Sequence, residues 1–199
     1  GQDYFDMGMG NSIIPFYSRR IGLAEDRSTV PIIAGARILG KVKNSTLGAL
    51  SMQTASRDSI PSTNYSVVSW RQDVMKQSSI GILSANKYEN GRWHSTTGGY
   101  GLYSTSKLFG DKNLNIGASF TQNINSDNYD SKANAHRIYL SYPNDKVEFD
   151  MAWQRSAPAF NPEVGFLRRD DFRRPFTSAQ ESPVELSAPG GWSGLEFRQ

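Results

Sequence analysis

Two carboxylates two residues apart, Glu148 and Asp150, are the first residues in this chain whose types and spacing could do chemistry. On one strand face they would be neighbours, and such a pair serves acid–base work when burial or like charge raises one of the two pKa values. The favoured reading is plainer: both line a wet lumen and pair with Arg or Lys across the strands. The two histidines, His94 and His136, lie near loop–strand borders with no metal-ligand spacing around them, and read as surface or lumen residues. The chain has no cysteine, no G-x-S-x-G elbow and no HExxH, so no hydrolase or thiolate signature is present and an enzyme is not expected. No cofactor is expected either.

Two further stretches invite a functional reading. TTGGYGLYS (96–104) has the look of a cation filter, but a filter needs pore helices and rings of backbone carbonyls. Its glycines are expected to let strands bend, or to let an aromatic ring lie over bare backbone. FNPEVGFLRRDDFRR (160–174) is the densest charge cluster, with Arg168, Arg169, Asp170, Asp171, Arg173 and Arg174. It reads as a salt-bridged strand and turn that locks a loop, with a docking patch or a polar constriction inside a barrel as the functional alternative. Arg19 and Arg20 could play the same part.

The elements that must carry these residues are strands. In KVEFDMAWQRSA (146–157), Val147, Phe149, Met151 and Trp153 alternate with Glu148, Asp150, Ala152 and Gln154, which gives an oily face and a polar one. The same period predicts strands over about 35–43, 47–54, 65–75, 78–87, 95–108, 114–123 and 136–142, with two weaker ones at 172–178 and 192–198. KNST, KQ, GDKN and PND read as short turns. ASRDSIPSTN, KYENGRWHS and NINSDNYDSKANA read as long polar links on the opposite rim. Gathered together, the polar faces hold Arg37, Lys41, Lys43, Arg71, Asp73, Arg137, Glu148 and Asp150. Strict up-and-down connectivity with one tight rim predicts an all-β antiparallel meander of eight to ten strands in one domain.

Bulk properties limit the function classes. The chain has 199 residues, 12% aromatics and a formal net charge of +3; its mean hydropathy is −0.54. No apolar run is long enough for a membrane helix. A transmembrane barrel stays open as a reading, because alternation averages to a hydrophilic score. A charge of +3 without a basic, aromatic-interleaved stripe gives no argument for nucleic acid. The start, GQDYFDMGMG, has no basic segment before an apolar one, which fits a removed signal peptide or a start within a longer protein. A soluble β-sandwich would show the same alternation with its faces swapped. Strand lengths near ten residues, and aromatics towards strand ends, favour lipid on the oily side.

Three segments carry a resemblance: PFYSRRIGL (15–23) with IIAGARILGKVKNSTLGALSMQT (32–54), SVVSWRQDVMKQSSIGIL (66–83) and FNPEVGFLRRDDFRR (160–174). In that order they resemble the bacterial envelope proteins grouped as the domain of unknown function DUF5916, across about residues 10–175. The resemblance implies an outer-membrane β-barrel of Gram-negative bacteria with no assigned activity. It also implies a longer whole, with a domain similar to carbohydrate-binding module family 9 ahead of this region and further strands after it. The expected partners are outer-membrane lipid, with a saccharide ligand or other envelope proteins suggested by the companion domain, and no nucleic acid. The eight polar-face residues would then face the lumen. The expected role is a channel or uptake component for saccharides or other small solutes. The alternatives are a non-conducting anchor for a binding domain and a soluble binding module.

Overall fold

A computed structural model describes residues 2–24, 28–126, 130, 132–144 and 147–181. Nine strands form one antiparallel sheet in strict sequence order: β2 (Ile32–Val42), β3 (Ser45–Thr54), β4 (Thr63–Val74), β5 (Ser78–Glu89), β6 (Arg92–Leu108), β7 (Lys112–Asn125), β8 (Asn134–Pro143), β9 (Val147–Ser156) and β11 (Phe172–Glu181). Two short pieces, β1 (Ile13–Ile14) and β10 (Phe166–Leu167), pair with each other away from the sheet. The described residues contain no α-helix.

All eight clearly alternating segments, and the weaker one at 172–178, become strands of this sheet. The other weak segment, 192–198, lies outside the described residues. One link is a correction. KYENGRWHS is not a long loop: β5 runs on to Glu89 and β6 starts at Arg92, joined by Asn90 and Gly91 at φ of 50° and 76°. Two successive positive φ values make a tight hairpin turn whose twist matches its strands, and Asn-Gly accepts that geometry at little cost. The polar residues that suggested a loop are the inward side chains of two long strands. Lys43 is also corrected, since it sits in the β2–β3 turn at φ 53° rather than on a strand face.

The sheet does not close. β2 and β11 pair with one neighbour each, so each carries a row of ten or more residues with one backbone edge unpaired within the sheet. A closed barrel of these nine strands is therefore not formed.

What makes the two faces different is a pair of segments laid over one of them. Residues 4–16 cross the sheet as a strap, and residues 157–167 fold in beside it. Together with the wall they bury Phe5, Met7, Met9, Ile13, Phe16, Phe160 and Val164 against Leu50, Tyr65, Val67, Leu83, Ala85 and Ala135. The wall leaves room for the strap at two glycines. A Cβ at Gly48 would meet the Phe5 ring at 3.0 Å, and one at Gly98 would meet Met7 Cε at 2.9 Å. On the same face Tyr100 lies across Gly81 and Tyr139 across Gly117, each ring covering its cross-strand glycine.

The opposite face is bare. Its side chains include Ile38, Val42, Leu47, Val68, Ile80, Ile82, Ile116, Phe120, Ile138, Met151 and Trp153, all exposed, with Ile38 at 68% and Ile82 at 58%. Monomeric soluble proteins rarely leave so large an apolar area open to water.

Candidate functional site: the covered face and its strap

Strand pairing decides which side chains can meet. One row of direct cross-strand partners on the covered face runs Lys41, Thr46, Arg71, Gly81, Tyr100, Ser119, Arg137, Gln154 and Arg174. The strap follows this row and uses polar groups of it and of the adjacent covered-face row, which holds Ser69. Ser69 Oγ donates to Tyr4 O at 2.5 Å, Arg137 Nη1 to Gly8 O at 2.8 Å and Gln154 Nε2 to Met9 O at 2.6 Å. These bonds satisfy backbone carbonyls that no strand partner reaches, and a buried carbonyl left bare is costly. Gly8 and Gly10 take φ of 64° and 70°, the left-handed conformation that lets the strap bend between its anchors. Arg137 also lies 4.6 Å over the Tyr139 ring, which fixes its guanidinium towards the strap.

The second segment is held at the long-link rim. Glu163, from the 157–167 loop, sets its carboxylate 3.2 Å from Lys87 Nζ and 3.4 Å from His94 Nδ1. Lys87 reaches Glu89 at 3.3 Å, and Glu89 accepts from Thr63 Oγ1 at 2.7 Å. Arg20 Nε donates to Gly165 O at 3.2 Å, and Tyr17 N to Val164 O at 2.9 Å, so the chain after the strap clasps the same loop. Of Lys87, Glu89, His94 and Glu163, the sequence reading considered only His94, and not as a partner of Glu163; the other three were not singled out. Three of the four sat in the presumed KYENGRWHS loop, and their partner comes from a distant segment.

The structure places Arg37, Lys41, Arg71, Asp73, Arg137, Glu148 and Asp150 on the strap's side of the sheet, by register with the buried Leu50, Val67 and Gln154. It brings only some of them together. Asp73 lies 3.1 Å from Lys41 Nζ, across β3, and 3.5 Å from Arg71 Nε, two residues back on its own strand. Glu148 and Asp150 do not find cationic partners: their cross-strand neighbours are Pro143, Gln180, Ser141 and Ser178. The expected Arg or Lys pairing is thus absent among the described residues. Neither carboxylate is enclosed, so nothing there is arranged for acid–base chemistry.

The arginine cluster also differs from its expected form. Arg168, Arg169, Asp170, Asp171, Arg173 and Arg174 are exposed, and no ion pair joins them to one another. What ties this stretch down is backbone. Arg168 N donates to Ser12 O at 3.0 Å, next to the β1–β10 pairing, and Arg174 Nη1 reaches Ser12 Oγ at 3.5 Å. Among the described residues no three His, Cys, Asp or Glu side chains gather as metal ligands. TTGGYGLYS is ordinary strand within β6.

No family model, curated protein or solved structure matches this chain.

Proposed function

We propose that this chain is part of the wall of an outer-membrane β-barrel with more strands than the nine described, that its strap and 157–167 loop plug the lumen, and that it serves as a non-conducting anchor. One observation carries the reading: the bare face carries a continuous uncharged belt, with Arg155 and Arg173 only at its edge. On it, Ala36, Ile38, Gly40 and Val42 of β2 continue through Leu47 and Ala49, Val68 and Trp70, Ile80 and Ile82, to Leu114, Ile116, Ala118 and Phe120. On β8 and β9 it comprises Ile138, Leu140, Tyr142, Phe149, Met151 and Trp153.

The belt also runs obliquely to the pairing rows. On β2 it reaches Ala36 and Ile38, whose rows become Ser66, Asn86, Ser84, Thr97 and Gln122 further along. On β9 it ends at Trp153, in the row of Val42. Strands tilted in a barrel have such a stagger between pairing rows and the level of the membrane. A soluble sandwich would need a second sheet on this face. The unpaired edges of β2 and β11 support further strands, and the resemblance to DUF5916 supplies the envelope context.

The anchor reading takes precedence over an open channel because the covered face is filled with apolar side chains of the chain itself. A channel or saccharide-uptake role keeps one supporting observation. Lys41 and Glu148, towards the short-turn rim, stay exposed outside the strap, so displacing the plug would open a charged surface. The test is envelope fractionation followed by boiled and unboiled samples on SDS gels, then planar bilayers. Outer-membrane enrichment, a heat-dependent mobility shift and no discrete conductance are expected. Soluble recovery without a shift overturns the barrel, and steady conductance steps overturn the anchor.

A further inference from the structure

On the bare face, the charge-free belt ends at β8, β9 and β11 in one pairing row: His136 opposite Arg155, and Arg155 opposite Arg173. The adjacent belt row is Ile138, Trp153 and Pro175. Direct cross-strand partners have Cβ atoms about 5 Å apart, and like charges placed there destabilise a sheet. No carboxylate among the described residues lies within ion-pair distance of Arg155 or Arg173, and Arg155 Nε is buried without a hydrogen-bond partner. Elsewhere the sheet turns its arginines to the covered face, as with Arg37, Arg71, Arg137 and Arg174. Two adjacent outward guanidiniums without a counterion among the described residues are open to an external anion.

We infer that His136, Arg155 and Arg173 form a binding site for a phosphate group of a membrane lipid, seated where the apolar belt meets the headgroup layer. The inference rests on the membrane reading above. Arg presents two parallel N–H donors to a phosphate, and two facing forks can hold one phosphate between them. Trp153, one row into the belt, stands at the depth where interfacial aromatics flank the lipid headgroups. His136 adds a third donor from the far side of Arg155.

The experiment uses the whole protein, purified folded in non-ionic detergent, with native mass spectrometry to count bound phosphatidylglycerol. Arg155→Gln with Arg173→Gln is expected to weaken phosphatidylglycerol binding about tenfold, while Lys41→Gln, on the other face, leaves it unchanged. Arg155→Lys with Arg173→Lys retains the charge, folds where the glutamine pair fails, and should keep most of the binding. Equal binding by wild type and the glutamine variant overturns the site, as does loss of binding in the lysine variant equal to that in the glutamine variant. Displacement of the lipid by millimolar inorganic phosphate assigns the site to a soluble anion and overturns the lipid source. Failure of the barrel reading is distinct: wild type itself would then show no heat-dependent gel shift.

Discussion

Gln154 and Arg137 show how single residues fasten the strap. Gln154 is buried and donates to the Met9 carbonyl at 2.6 Å. Gln154→Leu would keep the volume and strand that carbonyl without a donor, a change worth about 1–3 kcal/mol. The expected outcome is a lower midpoint in urea, read by intrinsic fluorescence, with the fold retained. Phe160 is almost fully buried under the strap. Phe160→Ala should cost about 3–5 kcal/mol through the cavity it leaves, and its midpoint should fall further than that of Gln154→Leu. A Phe160→Ala midpoint equal to wild type would mean that the 157–167 loop does not pack as described. At this scale the sequence was least legible. Phe5, Met7 and Met9 alternate just as strand residues do, which was the available signal, but Gly8 between them, Gly10 after them and the lack of a turn hid their partner surface.

Between elements, the contact that matters is the loop against the β5–β6 hairpin. Glu163 touches both Lys87 and His94, one from each strand of that hairpin. Partly exposed ion pairs contribute about 1 kcal/mol, and the Glu163 and Lys87 side chains are 36% and 24% exposed, so Glu163→Gln should lower global stability only slightly. It should instead raise amide exchange across 157–167 several-fold, with β4 and β5 unaffected. Uniform exchange changes, or none, would show that the apolar side chains alone hold the loop. Strand existence, by contrast, was readable from alternation alone, because over the middle of most strands large apolar side chains alternate with polar or small ones. The reading failed where that contrast fades. Lys87, Glu89 and Arg92 extend β5 and β6 on their inward side, and runs of charge look like loop when the partner charge lies far along the chain.

For the molecule as a whole, an uncharged apolar belt crosses the bare face, while the covered face mixes the buried core with most of the sheet's charged side chains. Alternation in the sequence could not say which face would be covered, since a sandwich and a barrel share it; the strap decides that question, and its short alternation gave no sign of the surface it would cover. On the membrane account, a charge placed in the centre of the bare belt costs about 2–4 kcal/mol at mid-bilayer. Ile82→Lys should therefore sharply reduce outer-membrane yield and the heat-dependent gel shift, whereas Arg37→Gln, on the covered face, should leave both intact. Equal yields for the two variants would place the bare face in water.

The most direct test uses β9, and the absence of cysteine makes it clean. Single cysteines at Phe149, Asp150, Met151, Ala152 and Trp153, each spin-labelled in the protein reconstituted into lipid, report which solvent each position meets. The account predicts that labels at 149, 151 and 153 are relaxed by dissolved oxygen and shielded from a water-soluble nickel chelate, while those at 150 and 152 are shielded from oxygen. Odd positions open to the chelate, or closed to both reagents as in a packed sandwich core, would contradict it.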